Sequence, residues 1–319
     1  MISDIPQPRP VFCIVTPSYN QAEFLEQTIE SVLSQRGCGS TFELRYAVID
    51  GGSRDGSAEI IAKYADRLTY WCSERDRGQS HAINKGFQRI EGDLYGYINS
   101  DDYYLPDAFL NVLALHRQHP TADLLHGICR KVDADGQHLL DQLSDIKRFA
   151  QLIDLWNHWL HPNPNRNFIQ PEVFWTRRFQ QRVKGFNETL HFTMDFDFWL
   201  RGLNLEMEVA RIETPLAAFR MHANQKTASR DASILELLDR IAPYLTSDDP
   251  RITPEQRQRL LRHSQLTRTV IEAATLPPER RVATLLSLAA DDPSLLRSPL
   301  YWRYLRRNGK RMFWKRNAA

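Results

Sequence analysis

The sequence has no apolar run approaching the roughly 18 to 20 residues that a membrane-spanning helix needs. Its first ten residues are polar and proline-rich, without the basic start and apolar core of a secretory signal. Its four cysteines lie far apart and form no C-x-x-C pair, which argues against a disulfide framework or a cysteine-rich zinc site. We therefore expect a cytoplasmic protein with reduced cysteines, and we expect any membrane contact to be peripheral, on the inner face of the membrane.

The chain also lacks an excess of charge of either sign. It has 41 Lys and Arg against 39 Asp and Glu, a formal net charge of +2. This balance gives no general argument for nucleic-acid binding. No repeat, low-complexity tract or P-loop is present, and the missing P-loop argues against a phosphoryl-transfer enzyme.

The first hundred residues contain alternating strand and helix patterns. Short β-branched and aromatic runs, each ending in turn residues, predict strands at 11–17, 44–50, 68–74 and 93–99. Single helical patterns separate these runs, and the first has Asn20 placed as N-cap with Glu23 completing a capping box. Strands joined by single helices predict an α/β fold with a mostly parallel sheet and helices on both faces.

The order of elements changes after residue 105. We predict a helix from Pro106 to Leu115, a hairpin turn at 133–136, a helix at 194–203 and further strands at 172–175 and near 215–222. From about residue 228 the chain is helical in pattern, charged and interrupted by prolines. The predicted organisation is thus a domain over 1–228, with halves 10–105 and 106–228, and a helical C-terminal extension over 229–319.

Polar clusters follow each of the first four predicted strands. They read TPSYNQ, DGGSRDGS, SERDRG and NSDD. In open α/β sheets, ligands bind beyond the carboxyl ends of the strands. The four clusters therefore predict one shared ligand site.

The NSDD cluster places two aspartates, Asp101 and Asp102, directly after a buried strand. Adjacent carboxylates raise each other's pKa unless a cation or a hydrogen-bond donor meets them. Two interpretations follow from the pair alone: the aspartates cap the next helix, or they meet a cation or ligand hydroxyls. Asp50 also ends a strand, and the glycines after it allow close approach of a ligand.

Six segments occur together in an order that resembles family 2 glycosyltransferases of the GT-A fold. They are VFCIVTPSYNQAEFLEQTIESVLSQ, YAVIDGGSRDGS, GQSHAINKGF, GYINSDDYYLPDAF, FNETLHFTMDFDFWLR and FRMHANQKT. The resemblance covers roughly residues 10 to 228. It implies a GT-A domain that transfers a sugar with inversion, from a nucleotide sugar with UDP favoured, to a hydroxyl of a glycan or lipid-linked glycan. It also implies bacterial polysaccharide assembly as the setting.

The resemblance assigns roles to particular residues. It implies donor contacts at Pro17, Tyr19, Asp50, Asp76, Gly78, Lys85 and Asp101. It implies Mn²⁺ or Mg²⁺ bound by Asp102 and His222, which would stabilise the charge on the departing diphosphate. Two positions depart from the family pattern, because Asn99 and Gly51 stand where relatives often have aspartate.

A base that takes the proton of the acceptor hydroxyl is expected in the second half. Asp195 and Asp197 lie about 200° apart on the predicted helix, on either side of its apolar stripe, so periodicity does not choose between them. The resemblance implies Asp195, the counterpart of the second residue of the family's Glu-Asp pair. Met194 replaces the glutamate of that pair.

Residues 299–319 hold seven Lys or Arg and no acid, interleaved with aromatic residues. This composition fits docking on an anionic membrane, and it equally fits a solvated helix end. For the whole chain the alternative to an enzyme is a non-catalytic nucleotide-sugar or glycan-binding scaffold on the same fold.

Overall fold

The computed structural model describes residues 8–161, 163–223, 230–298 and 300–306. Two compact units can be distinguished. The first comprises Met1–Phe149 and Asn167–Ala228, and the second comprises Ala150–Arg166 and Ser229–Ala319, in each case for the residues described.

The first unit is built on a mixed sheet. Its strands, within the described residues, are β1 (Val11–Ser18), β2 (Glu43–Asp50), β3 (Tyr70–Ser73), β4 (Leu94–Tyr97), β5 (Tyr103–Tyr104), β6 (Ala122–Val132), β7 (His138–Leu143), β8 (Val173–Thr176) and β9 (Glu208–Arg220). The order is β3-β2-β1-β4-β8-β6-β9-β5, with β7 paired to β6. Strands β1 to β4 are parallel, which confirms the prediction for the first half. Strand β8 is antiparallel to both β4 and β6, so the second half is mixed.

Helices connect these strands, as the sequence predicts. They are α1 (Ala22–Leu33), α2 (Ser57–Lys63), α3 (Gln79–Phe87), α4 (Ala108–Gln118), α5 (Phe149–Leu152), α6 (Arg177–Val183) and α7 (Met194–Asn204). Asp133 closes the predicted hairpin turn, because its Oδ1 accepts from the backbone N–H groups of Asp135 at 3.0 Å and Gln137 at 2.8 Å.

The predicted cap of α1 is wrong. Gln21 is the N-cap residue and makes no side-chain cap hydrogen bond. Asn20 lies one residue earlier, with a φ of 51°. Its Oδ1 accepts from the backbone N–H of Arg54 at 3.1 Å, and its own N–H donates to Ser53 Oγ at 2.8 Å. A contact with the loop after β2 therefore replaces the local cap.

An aromatic cluster fixes the centre of this unit. The rings of Phe12 and Phe109 stack with centroids 4.9 Å apart, and Phe42 meets Phe12 edge-on at 5.1 Å. Phe174 of β8 packs edge-on against Phe109 at 5.9 Å. Each such pair contributes about 0.5–1.5 kcal/mol beyond area burial. The cluster holds β1, β8 and α4 together and so sets the position of the strand ends.

The second unit is helical in its described residues. It contains α8 (Arg230–Thr246), α9 (Pro254–Thr275), α10 (Pro278–Asp291), a 3₁₀ turn (Pro293–Arg297) and a helical segment over 300–306. Trp156 attaches the segment Ala150–Arg166 to α9, because its ring stacks on His263 at 3.9 Å and its Nε1 donates to Thr267 Oγ1 at 2.6 Å.

None of the helices traced in the described ranges is both long and apolar enough to cross a membrane.

Candidate active site

The carboxyl ends of β1 to β4 meet at a cleft of about 560 Å³. Each strand end contributes a wall residue: Tyr19 after β1, Gly51 after β2, Asp76 after β3 and Asp101 after β4. The convergence predicted from the four polar clusters is therefore present.

Gly51 lets two predicted donor contacts approach each other. A Cβ at this position would lie 3.0 Å from Asp76 Oδ2 and 3.2 Å from Tyr19 Cδ2, so a side chain would push one of them away. Tyr19 is 64% exposed, which leaves its ring face open to a ligand. Gly78, at φ 109°, donates its N–H to Asp76 Oδ1 at 2.8 Å and so orients that carboxylate. Pro17 lines the same cleft.

Two other predicted donor contacts face elsewhere. Asp50 is fully buried, and one of its oxygens accepts from Gly52 N at 3.1 Å, Ser53 N at 2.9 Å and Ser73 Oγ at 2.6 Å. The Asp50 carboxylate thus shapes the loop that carries Gly51. Lys85 forms an ion pair with Glu74. Neither Asp50 nor Lys85 lines the cleft, and their roles as donor contacts stay predictions.

Asp101, which lines the cleft, meets His222 although the two residues lie far apart in the sequence. His222 Nε2 lies 2.9 Å from Asp101 Oδ2. The His222 ring packs against Phe24 with centroids 5.1 Å apart, which fixes its orientation. The His222 side chain is 8% exposed and that of Asp101 is 16% exposed. His222 is absent from the cleft lining, so its assignment as a metal ligand also stays a prediction.

Asp102 occupies a different environment from its neighbour. It is 1% exposed, and its Oδ1 accepts from the backbone N–H of Arg220 at 2.9 Å. Burial, and after it the charge of Asp101, raises the pKa of Asp102 well above its usual range. Asp102 is absent from the cleft lining, so its assignment as a metal ligand stays a prediction.

Arg220 holds this region together and was not singled out from the sequence. Its Nε donates to Asp101 O at 2.9 Å, its Nη1 donates to Ala134 O at 2.7 Å and its Nη2 donates to Gln27 Oε1. The guanidinium also lies 4.7 Å above the Phe24 ring. Arg220 is 4% exposed, and it therefore joins the NSDD loop, α1 and the β6–β7 turn from inside the protein.

Asn99 has a partner set that suits an amide. Its Oδ1 accepts from Gln79 Nε2 at 2.6 Å, and its Nδ2 donates to Gln170 Oε1 at 3.1 Å. An ionised aspartate can only accept hydrogen bonds, so it could not make the second contact. The departure from aspartate at this position thus completes a network in which both Asn99 and Gln79 line the cleft.

The loop before α7 forms another wall of the cleft, and Asn84 holds it in place by hydrogen bonds. Asn84 Nδ2 donates to Phe186 O at 2.8 Å, and Asn84 Oδ1 accepts from Phe186 N at 2.8 Å. Glu188, which lines the cleft, accepts from Asn84 Nδ2 at 3.1 Å and from Arg77 Nη2 at 2.6 Å. The sequence does not predict these hydrogen bonds, because it shows only that Asn84 is a polar residue on α3.

The two aspartates of α7 are distinguished by their surroundings. Asp197 is 4% exposed and accepts from Arg201 Nε at 2.8 Å, and Arg201 also donates to Gly185 O at 2.7 Å. Asp195 is only partly buried, and its Oδ1 accepts from the backbone N–H of Phe196 at 2.7 Å. The pKa of Tyr97 is raised well above its usual value by burial first and then by the charge of Asp195, so Asp195 lies close to the end of β4.

Solved structures identify the fold. The crystal structure of residues 1–349 of Staphylococcus aureus TarS in complex with UDP-GlcNAc matches 93% of this chain and 88% of that chain, with a TM-score of 0.61 and 15% identity. The mannosyltransferase PcManGT from Pyrobaculum calidifontis, in complex with GDP-Man and Mn²⁺, matches 97% of this chain and 89% of that chain, with a TM-score of 0.58 and 18% identity. The first unit's sheet and its flanking helices are thus those of a GT-A glycosyltransferase, as predicted.

Sequence comparison then identifies the family. The family model for glycosyl transferase family 2 matches residues 13–172, and the chain belongs to that family. An uncharacterized glycosyltransferase of Rickettsia typhi is 23% identical over 225 residues, which are 68% of this chain and 66% of the relative. One of Mycobacterium tuberculosis is 32% identical over 117 residues, which are 36% of this chain and 44% of the relative. The match thus spans less than two thirds of either relative's length.

Proposed function

We propose that this chain is an inverting glycosyltransferase that moves a sugar from a nucleotide sugar, with UDP-sugars favoured, to a hydroxyl of a glycan or lipid-linked glycan. The observation that carries the proposal is the cleft at the ends of β1 to β4, which Tyr19, Asp76 and Asp101 line together. Family membership and the nucleotide sugars bound by TarS and PcManGT support it.

The nucleoside of the donor is proposed to lie against the β1 and β2 ends. Tyr19 offers an exposed ring to the base, and Asp76 offers a carboxylate to hydroxyl or imide donors. Gly51 has no side chain that would occupy the space between Tyr19 and Asp76. This arrangement suits a flat base with polar edges.

A divalent metal fits the residues at Asp101 and His222. The Asp101 carboxylate oxygen, at the cleft, and the His222 imidazole nitrogen 2.9 Å from it are ligands of the type that Mn²⁺ accepts. When bound, the metal would stabilise the negative charge that builds on the departing diphosphate. We propose Asp101 in place of Asp102 because Asp101 lines the cleft and Asp102 does not. Mn²⁺ in PcManGT supports divalent-metal use.

Asp195 is proposed as the base. It would take the proton of the acceptor hydroxyl as the hydroxyl oxygen bonds to the anomeric carbon. The bond between that carbon and the diphosphate oxygen breaks at the same time, and the electron pair leaves with the nucleoside diphosphate. Attack from the side opposite the leaving group inverts the anomeric centre. Asp195 is more exposed than Asp197 and its charge acts on Tyr97 at the end of β4, which supports Asp195 as the candidate on α7.

The test is a ligand screen followed by turnover. UDP-, GDP- and dTDP-sugars are compared for thermal stabilisation with and without Mn²⁺, and the preferred donor is then assayed for nucleoside diphosphate release. We expect one nucleotide to stabilise the protein more with Mn²⁺, and Asp101→Asn to reduce that gain. Stabilisation without any diphosphate release, with acceptor glycans supplied, would favour a binding scaffold, and no stabilisation would contradict the proposal.

A further inference from the structure

The second unit has an exposed apolar pair near its described C-terminal end. Leu296 is 48% exposed and Trp302 is 39% exposed. Trp302 Nε1 donates to Leu296 O at 2.7 Å, so the two residues are neighbours. Because the indole N–H is already satisfied by the backbone, the ring presents its apolar surface outward.

The helical segment 300–306 is firmly attached on its other side. Leu300, Tyr301 and Tyr304 are buried. The Tyr301 hydroxyl donates to Leu285 O at 3.2 Å, and the Tyr304 hydroxyl donates to Asp231. Trp302 is therefore exposed on the outer face of a helical segment whose opposite face is packed against the protein.

Positive charge surrounds the exposed ring. Trp302, Arg303 and Arg306 lie within about 100° of one another around the helix and are all exposed. Arg297, next to Leu296, is exposed as well. Over residues 293–319 the sequence contains eight Lys or Arg and no Asp or Glu. The residues predicted from the sequence as a basic tail extend beyond 306 and lie outside the described residues.

We propose that Leu296, Arg297, Trp302, Arg303 and Arg306 form a surface, the basic aromatic face, that docks on an anionic phospholipid membrane. An exposed indole between arginines suits the headgroup region, where the ring meets the acyl boundary and the guanidinium groups meet phosphate. A nucleic acid would match the charge, but it would leave the Leu296 side chain without an apolar partner. The surface belongs to the second unit, and the proposal does not depend on the proposed catalytic function.

The proposal is tested by vesicle flotation of the full chain. Vesicles of phosphatidylcholine alone are compared with vesicles that also contain phosphatidylglycerol, at low and high salt. We expect binding to the anionic vesicles that weakens with salt. Each basic residue near an anionic surface is worth on the order of fivefold in binding, so Arg303→Glu with Arg306→Glu should weaken binding more than 25-fold by that estimate. Trp302→Ser should weaken it severalfold at unchanged charge.

Matched controls come from exposed residues of the first unit. Arg117→Glu with Arg182→Glu makes the same change in net charge, and Leu139→Ser removes a side chain that is 53% exposed. These variants should bind anionic vesicles like the wild type, apart from a small general charge effect. Thermal unfolding of each variant checks that the second unit remains folded, and Trp302→Leu replaces Trp302→Ser if it does not.

Three outcomes would overturn the proposal. The wild type could fail to bind anionic vesicles, it could bind neutral vesicles equally well, or the control variants could lose as much binding as those in the basic aromatic face. Binding to RNA or DNA with no vesicle binding would assign the surface to nucleic acid instead.

Discussion

Replacing Arg220 by methionine should disorganise the polar centre of the site while leaving the fold in place. The guanidinium donates to Asp101 O, Ala134 O and Gln27 Oε1 from a position that is 4% exposed. A buried acceptor left unsatisfied costs about 1–3 kcal/mol. Removing the buried charge offsets part of this loss, so we expect a net destabilisation of about 2–4 kcal/mol.

The assay separates a positioning role from a purely structural one. Arg220 fixes the Asp101 backbone, and the Asp101 side chain lines the cleft and meets His222. Arg220→Met should therefore raise the Mn²⁺ concentration needed for half-maximal activity and raise the donor KM, measured on folded protein below its lowered Tm. Arg220→Lys keeps the charge and should recover part of both properties. A lowered Tm with unchanged Mn²⁺ dependence and unchanged donor KM would refute the reasoning.

Three further predictions concern neighbouring residues. Asn84→Asp replaces the donor to Phe186 O by a carboxylate oxygen and should lower kcat about tenfold, in line with a loss of about 1–3 kcal/mol at the cleft wall, as steady-state kinetics would show. Gly51→Ala brings a methyl group within 3.0 Å of Asp76 Oδ2, so the donor KM should rise severalfold at little cost in Tm; an unchanged KM would remove Gly51 from the donor site. Burial raises the pKa of Glu172 well above its ordinary value of 4.5, so the folded wild type holds an extra proton and loses stability as the pH rises above that value. Glu172→Gln does not titrate, and its stability relative to wild type should grow with pH by up to ~1.4 kcal/mol per unit, measured by chemical denaturation; a constant difference would contradict this.

The features that could be predicted from the sequence are those encoded locally. The first four strands are short apolar runs bounded by turn residues, and single helices between them require parallel pairing. Parallel pairing then places the residues after the strands at one edge of the sheet. For this reason Tyr19, Asp76 and Asp101 could be assigned to one cleft without any knowledge of their distances.

The features that escaped prediction depend on contacts between distant parts of the chain. Arg220 forms hydrogen bonds with Gln27 and Ala134, and Asn84 forms them with Phe186. These partners are far apart in the sequence, so the periodicity of helices and strands does not predict the contacts. The cap predicted at Asn20 was wrong for the same reason. Asn20 forms hydrogen bonds with Ser53 and Arg54 in the loop after β2 and does not cap α1.

The surroundings of the adjacent aspartates Asp101 and Asp102 also depend on contacts with distant parts of the chain. The resemblance to family 2 glycosyltransferases implied different roles for Asp101 and Asp102, but the sequence could not show which of them faces the cleft. That choice depends on the backbone N–H of Arg220, which accommodates Asp102 in the interior and leaves Asp101 facing His222.

The central claim is sugar transfer with Asp195 as the base, and paired variants on α7 test it most directly. Nucleotide affinity and sugar transfer are measured for Asp195→Asn and Asp197→Asn with the preferred donor, acceptor and Mn²⁺. We predict that Asp195→Asn binds the nucleotide like the wild type but loses transfer. Asp197→Asn should mainly lower the Tm, because its partner is Arg201. Unchanged turnover in Asp195→Asn would contradict the account.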